Sequence, residues 1–204
     1  MKSTYILFFT FIILSLPGLS QVGPESVSMT RNRIIMRSMK TLTGWGALNS
    51  AVGIGLSSGA SKDARYTFRT CTYFGLVNLA LGQVGYWTAR KKQGQVLTRE
   101  RNMREQRKTE KIFLINTGLD LVYMAGGLHL INRGKQKTGD SRDKSLGYGR
   151  GLMIQGGFLF LFDGIQYLTH RKNGKGLDDM GTGRPSGRLE AGLTGTGVCL
   201  RLKL

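Results

Sequence analysis

The sequence predicts an all-α fold: a four-helix transmembrane bundle after an N-terminal signal peptide, with a glycine-rich tail that ends in a short β-hairpin. Hydrophobic residues make up 40% of the 204 residues, which argues against disorder. The 30 Lys and Arg outnumber the 12 Asp and Glu, giving a formal net charge of +18. Four windows of 20 or 21 residues nevertheless contain almost no charge, and they predict the four helices.

The first 20 residues have the three parts of a secretory signal peptide. Lys2 precedes an apolar run over residues 5–16, Pro17 ends that run, and the small residue Ser20 fits cleavage after position 20. The alternative is an uncleaved anchor helix. Because the apolar run is short and Pro17 breaks helices, we expect cleavage and export.

The mature chain divides into three further parts by composition. Residues 21–40 form a basic amphipathic lead-in suited to a membrane interface. Residues 41–171 form the bundle, and residues 172–204 form a flexible tail rich in glycine. The final residues alternate apolar and polar side chains, so we expect them to pair with residues 188–193 as a hairpin.

The four charge-poor windows are residues 41–61, 70–89, 112–132 and 151–170. Each is bounded by Lys or Arg at both ends, and only the last two contain an acid. Twenty helical residues span the roughly 30 Å hydrocarbon core of a bilayer. A soluble four-helix bundle is the alternative. It would carry charges along an outer face, which these windows lack, and their many small residues suit close packing in membranes.

Polar residues inside the windows recur at helical spacing and form one stripe per helix. An unpaired polar group costs several kcal/mol in lipid, so we expect all four stripes to face inward. The predicted intramembrane polar core contains Asn49, Asn78, Asn116, Asp120, Tyr123, Gln155, Asp163 and Gln166.

The two intramembrane acids are the strongest functional candidates. Asp120 and Asp163 could carry a proton or bind a cation, because acids are costly at this depth. The structural alternative, which we favour, is that each bonds an Asn, Gln or Tyr of a neighbouring helix. His129 is out of phase with Asp120, and His170 is expected at a helix end at the membrane interface. We therefore predict no metal site, no cofactor and no catalytic residue.

The basic run over residues 90–111 predicts contact with a bilayer and its anionic headgroups. It lacks the aromatic residues typical of nucleic-acid binding, so no nucleic-acid partner is predicted. A homo-oligomer or a protein partner is left open. A cleaved signal peptide would put this run on the non-cytoplasmic side of the membrane. Basic residues, however, favour the cytoplasmic side, so the orientation is also open.

Four short motifs resemble a family of uncharacterised small multi-pass membrane proteins from Bacteroidota-type bacteria. They are Asn116–Tyr123 (NTGLDLVY), Gln155–His170 (QGGFLFLFDGIQYLTH), Leu76–Trp87 (LVNLALGQVGYW) and Gly44–Gly46 (GWG). The resemblance covers about residues 31–170 and implies a helical protein of the bacterial cell envelope. It implies no activity.

The predicted function is that of an integral membrane protein acting as a non-enzymatic structural or interaction module. The alternative is a small transporter or proton-coupled channel that uses Asp120 and Asp163. An enzyme acting on lipid ranks last, because no nucleophile–base pair is recognisable in the sequence.

Overall fold

A computed structural model describes residues 25–179, 188–194 and 197–203. These residues form four helices and two strands: α1 (Glu25–Ser57), α2 (Lys62–Lys91), α3 (Arg99–Lys135), α4 (Gly139–Asp179), β1 (Arg188–Thr194) and β2 (Gly197–Lys203). The predicted all-α four-helix bundle is therefore confirmed. The predicted signal peptide lies outside the described residues.

The strands β1 and β2 form an antiparallel pair outside the bundle. Their register runs from Arg188 opposite Lys203 to Thr194 opposite Gly197. These are the segments whose alternating pattern predicted a hairpin at the end of the tail.

Every helix begins before its charge-poor window, and α1 and α4 show this most clearly. α1 contains 33 residues and includes most of the lead-in, and α4 contains 41 residues and continues past position 171. The sequence gives α1 no reason to break before the first window, since residues 25–43 contain neither glycine nor proline. The described part of the lead-in and the first window as far as Ser57 therefore form one continuous helix.

The helices run up and down, so that each end of the bundle holds a different set of loops. The upper end holds the α1–α2 and α3–α4 loops, and there the Tyr66 hydroxyl donates to Asp140 at 3.1 Å. The lower end holds the α2–α3 loop, where Asn32 of α1 donates to the Lys92 carbonyl at 2.9 Å. The Thr98 side chain caps α3 by accepting from the backbone N–H of Arg101.

The bundle consists of two helical hairpins, α1–α2 and α3–α4, that share one packing device. In each, two glycines meet at the crossing point. A Cβ on Gly46 would lie 2.6 Å from the Gly75 carbonyl oxygen, and one on Gly127 would lie 2.8 Å from that of Gly149. Each helix carries a second crossing glycine seven residues from the first: Gly53, Gly82, Gly134 and Gly156. Backbones approach this closely only where side chains are absent.

α4 joins the two hairpins. At the upper end Arg150 forms an ion pair with Asp63 of α2, and Thr67 donates to the Gly147 carbonyl at 3.0 Å. Further down, Trp45 of α1 stacks on Phe158 with ring centroids 3.8 Å apart. These contacts make α4 the central helix and leave α3 packed mainly against α4.

Candidate functional site

The interior of the bundle contains many polar residues beside an apolar cluster. Within the charge-poor windows, the buried polar or charged residues are Asn49, Thr70, Asn78, Asp120, Gln155, Asp163, Gln166 and His170. Soluble proteins bury polar groups sparingly, because each one needs a hydrogen-bond partner to offset the loss of water. Hydrogen bonds therefore add to the packing of the apolar cluster, which is formed by Leu42, Trp45, Phe113, Phe158 and Phe162.

The outer surface of the same windows is apolar. Large hydrophobic side chains exposed there come from every helix: Leu48, Ile54, Leu56, Tyr73, Leu76, Val77, Leu81, Val84, Trp87, Ile112, Leu114, Ile115, Leu119, Leu121, Val122, Tyr123, Leu128, Ile154, Leu161 and Leu168. Outside the windows, only Met29 and Val96 among the described large hydrophobic residues are exposed to this degree. The apolar surface therefore coincides with the charge-poor part of the bundle.

Gln155 of α4 links three elements in the upper half of the interior. Its side chain is 0% exposed, accepts from Trp45 Nε1 at 3.1 Å and donates to Asn49 Oδ1 at 2.6 Å. Asn49 in turn donates to the Trp45 carbonyl at 2.8 Å. Cys71 of α2 also lies within hydrogen-bonding reach of Gln155. One amide thus ties α1 and α2 to α4.

Asp120 of α3 and Asp163 of α4 meet in the interior. They are 3% and 5% exposed, and their carboxyl groups lie within hydrogen-bonding reach of each other. The Asn116 side chain lies within reach of Asp163 as well. Two carboxyl groups can bond each other only through a proton on one of them. The geometry therefore suits a pair that holds one proton between two helices.

A third polar cluster lies at the lower end, where sequence reasoning did not place one. Arg31 of α1 is 2% exposed and donates to Asn102 Oδ1 at 2.6 Å. One turn along α3, Gln106 donates to the His170 carbonyl at 2.5 Å. The His170 ring stacks on Phe113 at 5.3 Å, and its two nitrogens have no hydrogen-bond partner among the described residues.

The charge of Arg31 is poorly solvated. Burial lowers the pKa of its guanidinium, and the nearby Glu105 carboxylate opposes that effect. Burial also acts to raise the pKa of Glu105, but the Lys92 ammonium 3.2 Å away and the Arg31 charge outweigh it, so the net shift is downward. The lower cluster therefore contains an ion network that reaches from the interior to the surface.

Six of the eight predicted core residues are buried: Asn49, Asn78, Asp120, Gln155, Asp163 and Gln166. Asn116 is half-buried. Tyr123 corrects the prediction, because it is 39% exposed and its ring meets the edge of Phe74 on α2. His170 corrects the expectation of an interfacial helix end, since it is 0% exposed and α4 continues beyond it.

The acids and histidines do not assemble into one cluster. His129 is exposed on α3, whereas His170 lies in the lower cluster. Over the described ranges, no three His, Cys, Asp or Glu side chains are close enough to bind a metal ion together. By length and composition, α3 is the one described helix apolar enough to cross a membrane.

The model of a family of unknown function matches residues 41–164, which is more than half of the chain and includes Gln155, Asp120 and Asp163. The chain belongs to this family, DUF6992. The match confirms the resemblance to an uncharacterised family. The DUF6992 region includes all four crossing regions of the helices and ends one residue after Asp163. No curated protein and no solved structure matches the chain.

Proposed function

We propose that this DUF6992 protein is an exported, four-span membrane protein of the bacterial cell envelope that acts as a structural or interaction module. The observation that carries the proposal is the distribution of side chains in the windows, where polar residues are buried and the outer surface is formed by large hydrophobic residues. A soluble monomer rarely exposes an apolar patch larger than a few hundred Å². A bilayer removes the cost of this surface.

Residues at the lower ends of the windows support the same proposal. Lys40 lies over the Tyr86 ring at 5.5 Å, and Arg90 lies over the Trp87 ring at 5.2 Å. On α4, Arg171 lies over the Tyr167 ring and donates a hydrogen bond to the phenol oxygen at 2.7 Å. Aromatic and basic residues are enriched together at the boundary between bilayer and water. They would form a belt at this level.

The polar interior also explains why average hydropathy identifies α3 alone as a candidate span. Hydropathy counts Gln155 and Asn49 as unfavourable although they bond each other away from the outer surface. Glycines at the helix crossings lower the average further. The face of the helix on which a residue lies is therefore a better guide to a membrane span than average hydropathy. By that measure the windows of α1, α2 and α4 resemble that of α3, because each exposes large hydrophobic residues.

The proposed role as a module follows from what holds the bundle together. Helix pairs cross at glycines, and amides bond one helix to the next, which gives a fixed and closely packed core. The outer face of α3 carries Ile115, Leu119 and Val122 at helical spacing, all exposed. This face would contact lipid or a second membrane helix, while the basic 90–111 region would contact anionic headgroups.

A second candidate function is proton-coupled transport. The contact between Asp120 and Asp163 favours it, because no ion pair neutralises either carboxylate among the described residues. Ionisable residues inside a bilayer commonly mark proton or ion pathways. The pair could gain and lose one proton as helices α3 and α4 shift.

Reconstituted vesicles separate the two functions. The protein is inserted into liposomes that hold a pH-sensitive dye, and an imposed pH gradient is followed with the native chain and with Asp163→Asn. A module leaves the decay of the gradient equal to that of empty liposomes. A faster decay with the native chain that Asp163→Asn abolishes would overturn the module in favour of the transporter.

A further inference from the structure

A cavity of about 570 Å³ opens at the upper end of the bundle, away from both acids of the interior. Its lining comes from the end of α1, the start of α2 and the start of α4: Ser57, Ser58, Lys62, Arg65, Tyr66, Arg69 and Asp140. Its volume is within the range typical of ligand sites, 300–1,000 Å³ as an order of magnitude. The proposed function does not use it.

The cavity has an excess of positive charge that the protein does not neutralise. Lys62, Arg65 and Arg69 share one face of α2, since their spacing of three and four residues returns to the same side of a helix. None of the three forms an ion pair with a described residue. Three exposed cations on one wall of a cavity, with only the Asp140 charge acting on Lys62, suit an anionic ligand.

The acid in the cavity is already engaged. Asp140 forms an ion pair with Lys144 at 2.8 Å and accepts from the Tyr66 hydroxyl at 3.1 Å. The hydrogen bond from Lys144 is the main cause that lowers its pKa, with smaller contributions from Tyr66 and from the charges of Lys144 and Lys62. Asp140 is therefore paired on the α4 side and leaves Arg65 and Arg69 for a ligand.

The opposite wall supplies hydroxyl groups. The Ser57 hydroxyl already donates to the Ile54 carbonyl at 3.0 Å, whereas Ser58 is exposed beside it and can offer its hydroxyl as a donor. Guanidinium groups facing hydroxyls form the kind of site that binds a phosphate group, because phosphate oxygens accept several hydrogen bonds at once.

Apolar surface begins directly below the cavity on both walls. Ile54 lies one turn before Ser58 on α1, and Tyr73 and Leu76 continue the stripe of Arg69 on α2. All three are more than half exposed. Hydrocarbon chains attached to an anionic group in the cavity could therefore lie along this apolar surface of the bundle.

We infer that this cavity binds the phosphate group of an anionic phospholipid, with the acyl chains lying along Ile54, Tyr73 and Leu76. The inference rests on the proposed membrane location, which puts the end of the first window at headgroup depth. Free phosphate has the same anionic chemistry but would leave the apolar stripe below the cavity unused.

The test uses the full-length protein in a neutral detergent, titrated with phosphatidylglycerol, phosphatidylcholine or inorganic phosphate and examined by native mass spectrometry. Arg65→Gln/Arg69→Gln removes two charges from the cavity. Arg133→Gln/Lys135→Gln removes two exposed charges from the end of α3, outside the cavity lining, and serves as the matched control. Arg65→Lys/Arg69→Lys keeps the charge, and a thermal melt of each variant shows whether it folds.

We expect one phosphatidylglycerol to bind more tightly than phosphatidylcholine, and the cavity variant to weaken it about 10- to 30-fold. The lysine variant should retain most of the binding, and the control should retain nearly all. Equal loss in the cavity variant and the control would overturn the site, since it would show a general charge effect. Inorganic phosphate that displaces the lipid through the same residues would overturn the lipid assignment.

The result also distinguishes this inference from the membrane proposal. A protein that is soluble without detergent, yet binds inorganic phosphate through Arg65 and Arg69, would contradict the membrane proposal and the lipid assignment and leave an anion site. A protein that requires detergent, yet binds phosphatidylglycerol equally with and without the two arginines, would contradict the site alone.

Discussion

The carboxyl groups of Asp120 and Asp163 lie within hydrogen-bonding reach of each other, although the two residues belong to different helices. Oδ2 of Asp120 is buried and has no hydrogen-bond donor among the described residues. Two carboxylates at this separation would repel strongly away from water. We therefore expect the pair to carry at most one negative charge and to join α3 to α4 through a shared proton.

Asp120→Asn should be tolerated, because an amide can donate to Asp163 in place of the shared proton. Asp120→Leu should destabilise the bundle by about 1–3 kcal/mol, since it leaves Asp163 buried without that partner. Thermal melts in detergent measure both. Equal destabilisation by Asn and Leu would contradict a hydrogen-bonded pair.

Gly127→Ala should lower the melting temperature, whereas Gly126→Ala should not. A Cβ on Gly127 would lie 2.8 Å from the Gly149 carbonyl oxygen, but one on Gly126 would meet nothing within 4 Å. Overpacking of this kind costs roughly 1–3 kcal/mol. Alanine at the open position should be neutral or slightly stabilising, because it has the higher helix propensity. Similar melts for the two variants would mean that the hairpin does not cross at these glycines.

Gln155→Leu should destabilise the bundle by about 1–3 kcal/mol, because it removes the two buried hydrogen bonds that join Gln155 to Trp45 Nε1 and Asn49 Oδ1. In a Trp87→Phe background, Trp45 is the remaining tryptophan, and its emission should shift when the bond is lost. Gln83→Leu, at an exposed position of α2, is the control. An unchanged emission spectrum with Gln155→Leu would contradict this contact.

Asp63→Asn should reduce the acid sensitivity of the fold. The hydrogen bond from Ser61 is the largest cause that lowers the pKa of Asp63, burial opposes it, and the Arg150 guanidinium lowers it further. A lowered folded-state pKa gives stability that is present above the unfolded value, near 4, and lost as the pH falls below it. Melts at neutral and acidic pH should therefore differ less for the variant. A variant that loses as much stability in acid as the native chain would show that Asp63 contributes nothing.

The helix count and the buried stripe could be predicted from the sequence, because a charge-poor window and a 3.6-residue period are both local properties. The period fixes a face only approximately. Tyr123 follows Asp120 by three residues, which places it about 60° around the helix and on the surface. Whether a residue at the edge of a stripe is buried or exposed depends on how the neighbouring helix packs against it.

The lower cluster could not be predicted in the same way, because its partners are far apart in the sequence. Arg31 lies in a basic segment and Asn102 in another, so each looks solvated until the helices bring them together. His170 did carry a signal: it follows Asp163 by seven residues and therefore shares its face. Arg171 and Lys172, which follow it, indicated a helix end, whereas α4 continues to Asp179.

Partitioning of the expressed protein tests the central claim most directly. Membranes are washed with alkaline carbonate and then extracted with detergent, and the protein is followed in each fraction. A bundle whose apolar windows lie in lipid should stay in the pellet through the wash and appear only with detergent. Recovery of a monodisperse protein in plain buffer would contradict the account and leave a soluble bundle with a polar core.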